Sequence, residues 1–340
     1  MRKINQLDLF SGIGGFHLGF ERAGYKVKSY FSEVDKHAVA VYKHKFKDAE
    51  YVGSVTDVQG TDLPSIDLIT FGSPCQDFSL AGKRKGMGGE RSSLILEAIR
   101  LIGECRPRVF IWENVKGTFS SNSGEDFSAI LQEFTNIGGY RLEWQLLNTS
   151  WFLPQNRERI YLVGYSATIG GDWRGVFPLR EDDRAFVGER GQANWEFQKA
   201  QSENVHARTI GSSTAKMALD SNFIKVKSAT ARGYEEATEG DSINLSNPNS
   251  ETRRGRVGKG KAQTLETSCN QAAVQDYRIR RLTPIECERL QGFPDNHTQY
   301  GDYNGEVKKM SNTQRYKQCG NAVTTDVVQA IAWKIKPLFK

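Results

Sequence analysis

Ile4 to Phe10 is an apolar run with the look of a buried strand. It stops at Ser11-Gly12-Ile13-Gly14-Gly15, and Phe16 to Ala23 then takes up helical spacing. Strand, glycine turn and helix in that order constrain the fold more than any other stretch of the chain. They open an α/β unit whose turn can meet a nucleotide-like ligand. Glycines there allow close backbone approach and left-handed dihedrals. The same turn is also an ordinary tight connection, so its partners decide. No GxxxxGK follows, which argues against a triphosphate cradle. A second strand, about Lys26 to Ser32, ends at Glu33, ahead of a helix from Asp35 to Phe46. An acid at that strand end binds ribose hydroxyls, or serves as a charge at a helix N-terminus. Turn and acid together point to an adenosine-containing cofactor without separating NAD from S-adenosylmethionine.

Val52 to Val58 gives a short third segment, and Ile66 to Phe71 a further buried strand. That strand leads into Gly72-Ser73-Pro74-Cys75-Gln76, so a thiol follows a strand end, where open α/β sheets place their chemistry. Cys75 is a small core residue or, once deprotonated, a nucleophile. A glycine-rich basic loop comes next, with Lys83, Arg84, Lys85 and Arg91. It reads as a solvated linker or as a lid over a phosphate backbone. Ser92 to Gly103 has helical amphipathicity. Arg108 to Trp112 is a fifth strand, with Glu113-Asn114-Val115 at its end. Glu143 to Leu147 and Ile160 to Gly164 are later strands, and Gln155-Asn156-Arg157-Glu158-Arg159 precedes the last. In an extended segment, Arg157 and Arg159 share one face. Phe10, Glu33, Cys75 and Glu113 are all expected just after strand ends.

The 340 residues suffice for about two domains. The net charge of +6 permits a polyanionic partner without demonstrating one. Cys75, Cys105, Cys269, Cys287 and Cys319 form neither a CxxC pair nor a zinc pattern. Free thiols in a reducing compartment and no metal are the expectation. Met1-Arg2-Lys3-Ile4 does not begin a secretory signal, and no apolar run could span a membrane. A soluble, cytoplasmic protein is expected.

A thiol, an acid and an arginine pair suit a pyrimidine ring. C5 of cytosine is a poor nucleophile until a thiolate adds at C6 and turns the ring into an enamine. The addition places negative charge on the ring, so a proton donor is needed at N3. A carboxyl group serves only if its pKa is raised. An arginine near O2 steadies the same charge.

These residues resemble the motifs of the bacterial cytosine-C5 DNA methyltransferases of restriction–modification systems, in the family's order and over nearly the whole chain. Asp8-Leu9-Phe10-Ser11-Gly12-Ile13-Gly14-Gly15-Phe16 resembles the cofactor motif, with Phe10 expected against adenine, and Glu33 the ribose-binding acid. Pro74-Cys75-Gln76 resembles the nucleophile motif. Glu113-Asn114-Val115 resembles the motif whose acid holds cytosine N3 and N4. The Gln155 to Arg159 segment resembles the arginine motif, with Arg159 closest to the base and Gln76 supporting the flipped state. The resemblance implies S-adenosylmethionine as cofactor, held by Phe10, Ser11, Gly12, Ile13, Gly15, Glu33, Val34, Val55, Gly72, Pro74 and Leu94. In the family an acid commonly follows the glycine at Gly53. Here Ser54 stands there and Asp57 comes three residues later, so either could meet the adenine amino group.

The implied fold is a Rossmann-like methyltransferase domain, mostly parallel with helices on both faces. It would span 1–165 and be completed by 312–340, with a smaller irregular β-rich target-recognition domain at 166–311. From about Ser166 apolar periodicity fades, yet aromatics recur and β-like segments such as Phe223 to Val226 appear. A basic run follows at Arg253 to Lys261. Arg254, Arg256 and Lys259 in it, with Thr264 of a Thr-Leu pair, are candidate DNA contacts. Thr283, Pro284, Glu286 and Gly292 mark out a capped helix. Gly320-Asn321-Ala322-Val323 is expected to open a terminal helix to about Lys336. Asn321 and Val323 would then return to the cofactor pocket. Double-stranded DNA is the implied partner, a cognate endonuclease acting on the same site is a further implied one, and a monomer suffices. Methylation of transfer RNA is the rival substrate, but its branch's Cys-Phe-Thr signature does not follow Glu113-Asn114-Val115. A NAD-dependent oxidoreductase would leave Cys75, Glu113 and the arginines without joint purpose.

Overall fold

The computed structural model describes residues 2–73, 94–169, 173, 175–187, 215–217, 223–247, 250–268, 270–276 and 278–339. Pro74, Cys75, Gln76, Lys83, Arg84, Lys85 and Arg91 lie outside the described residues.

The first half follows the expected alternation. In chain order it runs β1 (Arg2–Leu9), α1 (Gly15–Arg22), β2 (Tyr25–Ser32), α2 (Lys36–Lys45), β3 (Glu50–Tyr51), β4 (Leu68–Gly72) and α3 (Leu94–Cys105). It continues with β5 (Val109–Val115), α4 (Glu125–Asn136), β6 (Tyr140–Asn148), β7 (Gln155–Asn156) and β8 (Glu158–Ser166). One seven-stranded sheet has the order β3-β2-β1-β4-β5-β8-β6. Its strands from β3 to β5 run parallel, and β8 is antiparallel to both neighbours. The strand order reverses between β1 and β4, the crevice where such sheets take their ligands.

Period-two alternation splits the core into two layers. Val109 and Ile111 of β5 join Leu68, Phe16, Phe20, Val328 and Ile331 on one face. Phe110 and Trp112 join Ile69, Phe71, Ile102, Ile130 and Phe134 on the other. Helices therefore cover both faces, α1 on the first and α3 with α4 on the second.

The second half holds β9 (Ala215–Met217), β10 (Ile224–Lys227), β11 (Tyr234–Ala237), β12 (Ser242–Asn244), β13 (Val257–Gly258), β14 (Ala262–Gln263), β15 (Gln271–Gln275) and β16 (Arg278–Arg281). They form antiparallel sheets of three and four strands around Ile224, Val226, Ile243, Ala272 and Val274. β14 leaves them to pair in parallel with β7. The capped helix is α5 (Pro284–Leu290): Thr283 and Glu286 exchange the reciprocal bonds of a capping box. A hairpin of β17 (Tyr300–Tyr303) and β18 (Glu306–Lys309) precedes α6 (Asn312–Asn321) and α7 (Thr325–Lys334).

Three expectations need correction. Gly320-Asn321 closes α6 rather than opening a helix; the chain is extended at Ala322 before α7 begins. Thr324 cannot continue α6, because its hydroxyl pairs with Thr149 and Gln291. Glu113 lies inside β5, since antiparallel pairing with β8 carries the strand on to Val115. The third segment is extended only at Glu50–Tyr51, and Ser54 to Val58 is a turn closed by Ser54 O.

Candidate active site

The turn after β1 adopts the backbone its glycines permit. Gly12 and Gly14 have φ of 54° and 82°, and Phe10 also lies at positive φ. A Cβ on Gly12 or Gly53 would meet nothing within 4 Å, so both border open space. Glu33 is tied to this turn. Its Oε2 accepts from Gly12 N at 2.9 Å, and its Oε1 accepts from Val34 N and Asp35 N. Oε1 is filled by its two amide donors, and Oε2 keeps a further lone pair for a ligand hydroxyl. The Ser11 hydroxyl is buried with no hydrogen-bond partner. Beside them Val34 is 77% exposed, an apolar side chain left uncovered at the mouth of the turn. An orphaned hydroxyl, an open glycine edge and a bound carboxylate fit the adenosine end of a cofactor.

The other expected cofactor residues divide. Ser54 is half-buried, its hydroxyl paired with that of Thr56, whereas Asp57 is exposed. Ile13 and Val55 are core side chains, and Leu94 packs at the core's edge. Val323 packs against the start of α1: a Cβ on Gly15 would stand 2.6 Å from its Cγ2. Asn321 is exposed at the end of α6.

Glu113 and Arg159 meet at the carboxyl end of β5. Arg159 Nε stands 3.3 Å from Glu113 Oε1, both side chains largely buried. That oxygen accepts no hydrogen bond, so the ion pair leaves it with capacity for another donor. Gly72 lies opposite Glu113 in the register, and a Cβ there would come within 3.2 Å of Glu113 Oε2. Ser73, the last described residue before Pro74-Cys75, is clamped. Trp112 Nε1 donates to its hydroxyl at 3.0 Å, and Asn114 Nδ2 to its hydroxyl and carbonyl. The strand end that precedes the thiol is thus fixed to the strand that carries the acid.

Arg157 is not in this group. Its guanidinium is buried and donates to the carbonyls of Leu265, Gly320 and Ala322. The expected polarising pair is a division of labour, with Arg159 at the acid and Arg157 joining β7 to the far end of the chain. Gln155, not singled out in the sequence for itself, acts likewise: fully buried, it bonds Leu290 O and Leu265 N.

Of the expected DNA contacts, Arg256 is corrected. It is fully buried and its guanidinium donates to the carbonyls of Ser246 and Asn247, so it offers nothing to a phosphate. Lys259 pairs with Asp241 at 2.6 Å. Arg254 is exposed and donates to Ala229 O. Thr264 is half-buried and donates to Asn156 O, three residues before Arg159. Among the described residues there is no cluster able to hold a metal, and no helix is long and apolar enough to cross a membrane. Cys105 is a half-buried free thiol, and Cys287 and Cys319 are buried.

The family model of the C-5 cytosine-specific DNA methylases matches residues 4–337. The chain belongs to that family. The methylase is 33% identical over 341 residues to Type II methyltransferase M1.ScrFI of Lactococcus lactis subsp. cremoris, covering 98% of this chain and 78% of the relative. It is 30% identical to Type II methyltransferase M.NlaX of Neisseria lactamica, with 97% and 95% covered. The Dnmt2 methyltransferase of S. pombe shares the fold, with a TM-score of 0.58 at 16% identity over 99% of both chains. The methylase acts on cytosine C5 of DNA, and the transfer-RNA alternative finds no comparable support.

Proposed function

We propose that this methylase takes its methyl group from S-adenosylmethionine and places it on a cytosine flipped out of a specific double-stranded DNA sequence. The donor is held at the turn after β1, with Phe10 and Val34 against adenine and Glu33 on the ribose. Ser54, half-buried beside Gly53, suits the adenine amino group better than exposed Asp57. Bound there, S-adenosylmethionine supplies an electrophilic methyl group.

Cys75 adds as thiolate to C6 of the base while Glu113, as the carboxylic acid, gives its proton to N3 and so neutralises the charge moved onto the ring; the proton returns to Glu113 when Cys75 leaves. Arg159 polarises the base from the other side of Glu113. After C5 is methylated, a base removes its proton, the C5–C6 double bond reforms and Cys75 leaves as thiolate. Gln76 and the basic segment with Lys83, Arg84, Lys85 and Arg91 support the extruded state. Arg157 positions this group rather than touching the base.

The observation that carries the reading is the buried Glu113–Arg159 pair with an unfilled carboxylate oxygen, on the strand that grips Ser73. The catalytic domain spans 1–165 with 312–340, and 166–311 recognises the target. The Type II names of the relatives support a restriction–modification role in the cytoplasm, with a cognate endonuclease at the same site. A monomer is the proposed working unit.

The test is a duplex carrying 5-fluorocytosine at the target position, found first by bisulfite sequencing of DNA from expressing cells. The expected result is a denaturation-resistant protein–DNA complex that Cys75→Ala cannot form. A wild-type enzyme that methylates ordinary duplex yet never traps on this one would overturn the mechanism.

A further inference from the structure

His297 lies in the loop between α5 and the β17–β18 hairpin, and it is 3% exposed. Its Nε2 stands 2.9 Å from Ile13 O, in the middle of the Ser11–Gly15 turn. A carbonyl oxygen only accepts, so Nε2 carries the proton. Burial holds the imidazole pKa down to about 3, so the ring is neutral. Its faces are set by Phe293 and Phe46, with ring centroids 4.5 and 6.2 Å away.

The loop is built to present that nitrogen. Glu288 is fully buried, and its carboxylate accepts from Asn296 N at 2.7 Å and Thr298 N at 2.8 Å, the amides on either side of His297. Arg315 Nη2 neutralises the same carboxylate at 2.9 Å. Lys45 Nζ caps Asn296 O at 3.2 Å. A buried ion pair thus grips the backbone flanking a single imidazole, and that imidazole grips the cofactor turn. None of this is needed to fold α5, which has its own caps.

We infer that His297 is a positioning residue for the methyl donor: its Nε2–H fixes the Ile13 carbonyl and so the backbone that Ser11 and Gly12 present to the ligand. The inference rests on the turn's assignment as the S-adenosylmethionine site. A turn left free to re-orient would bind the donor more weakly without altering chemistry at the base, because Glu113 and Arg159 lie on other strands.

Labelled S-adenosylmethionine binding, steady-state kinetics and thermal unfolding are measured for wild type, His297→Phe and His297→Gln. Phenylalanine keeps a ring between Phe293 and Phe46 and removes the donor; glutamine restores an N–H at similar reach. The Phe variant is expected to raise the donor Kd and KM about tenfold, the loss of one buried hydrogen bond, with kcat and DNA affinity within about twofold. The Gln variant should recover most of that. A Phe variant that melts lower but binds the donor like wild type would overturn the inference while leaving the site's assignment intact. Failure of wild type itself to bind the donor would overturn both. Amide exchange of wild type gives a check that needs no folded variant: the donor should slow exchange at Asn296 and Thr298, and unchanged rates there would sink the coupling.

Discussion

Arg159 reaches Glu113 diagonally across an antiparallel pair. In the register Arg159 faces Val115 and Glu113 faces Tyr161, yet Nε and Oε1 are 3.3 Å apart. Nη1 donates to Glu158 O at 2.8 Å, so the diagonal contact leaves Nη2 and one carboxylate oxygen to meet a planar base from adjacent directions. Tyr161 stays a neutral hydroxyl beneath them, because burial and then the Glu113 charge push its pKa up.

Arg159→Ala is expected to lower kcat about 10²–10³-fold, the usual loss on removing one donor to developing charge. DNA affinity and the unfolding midpoint should change little. Single-turnover methylation checks this, and a rate within threefold of wild type would contradict the role.

Arg157→Ala should behave in the opposite manner. It strips buried donors from the carbonyls of Leu265, Gly320 and Ala322. A loss of about 2–4 kcal/mol in unfolding free energy is expected. Urea denaturation reads it directly.

Gly15→Ala places a methyl group 2.6 Å from Val323 Cγ2. Overpacking of this kind costs about 1–3 kcal/mol. Val323→Ala in the same chain should return most of it, because valine's stiff χ1 prevents relief in the single variant. A double-variant cycle with no coupling energy would exclude the contact.

Asp8 gives the pH dependence a definite sign. It is fully buried beneath the turn, accepting from Thr70 and Tyr42, and burial pushes its pKa up to about 8 against those two hydrogen bonds. An acid that holds its proton only when folded contributes stability below its unfolded value of 3.8, and that contribution is lost as pH rises to about 8. The free-energy gap between Asp8→Asn and wild type should therefore widen in the variant's favour by up to about 1.4 kcal/mol per pH unit through that window. Parallel stability curves would refute it.

His297 acts in the reverse sense. Its pKa falls from 6.5 to about 3 on folding, so its contribution is full above 6.5 and lost as pH drops toward 3. At pH 5 the deficit is about 2 kcal/mol. His297→Gln should flatten the acid limb of the urea midpoint plotted against pH.

Much of the sheet was legible because its signals are local. Alternating apolar residues in β5, the glycines after β1 and the acid after β2 each name their place within a few residues of chain. The Thr283–Glu286 capping box is local too. What escaped depends on distant partners. Arg256 sits in a run of glycine and lysine that reads as solvated, and only the carbonyls of Ser246 and Asn247 draw it inside. Arg157 and Arg159 look equivalent at their spacing, but Gly320 and Ala322 claim one of them. α4 is masked in the sequence by its Ser-Asn-Ser-Gly lead, although Phe127, Ile130 and Phe134 carry the helical period. His297 has no sequence signal beyond the neighbouring Glu288, whose purpose appears only with the loop folded around it.

Val323 lies against Gly15, and α7 packs on α1. A turn made early is therefore finished by a stretch made much later in the same chain. A nascent chain stalled before Val323 would hold the central strands but not the closed turn after β1, so on the proposed reading prematurely terminated copies should leave DNA unmarked.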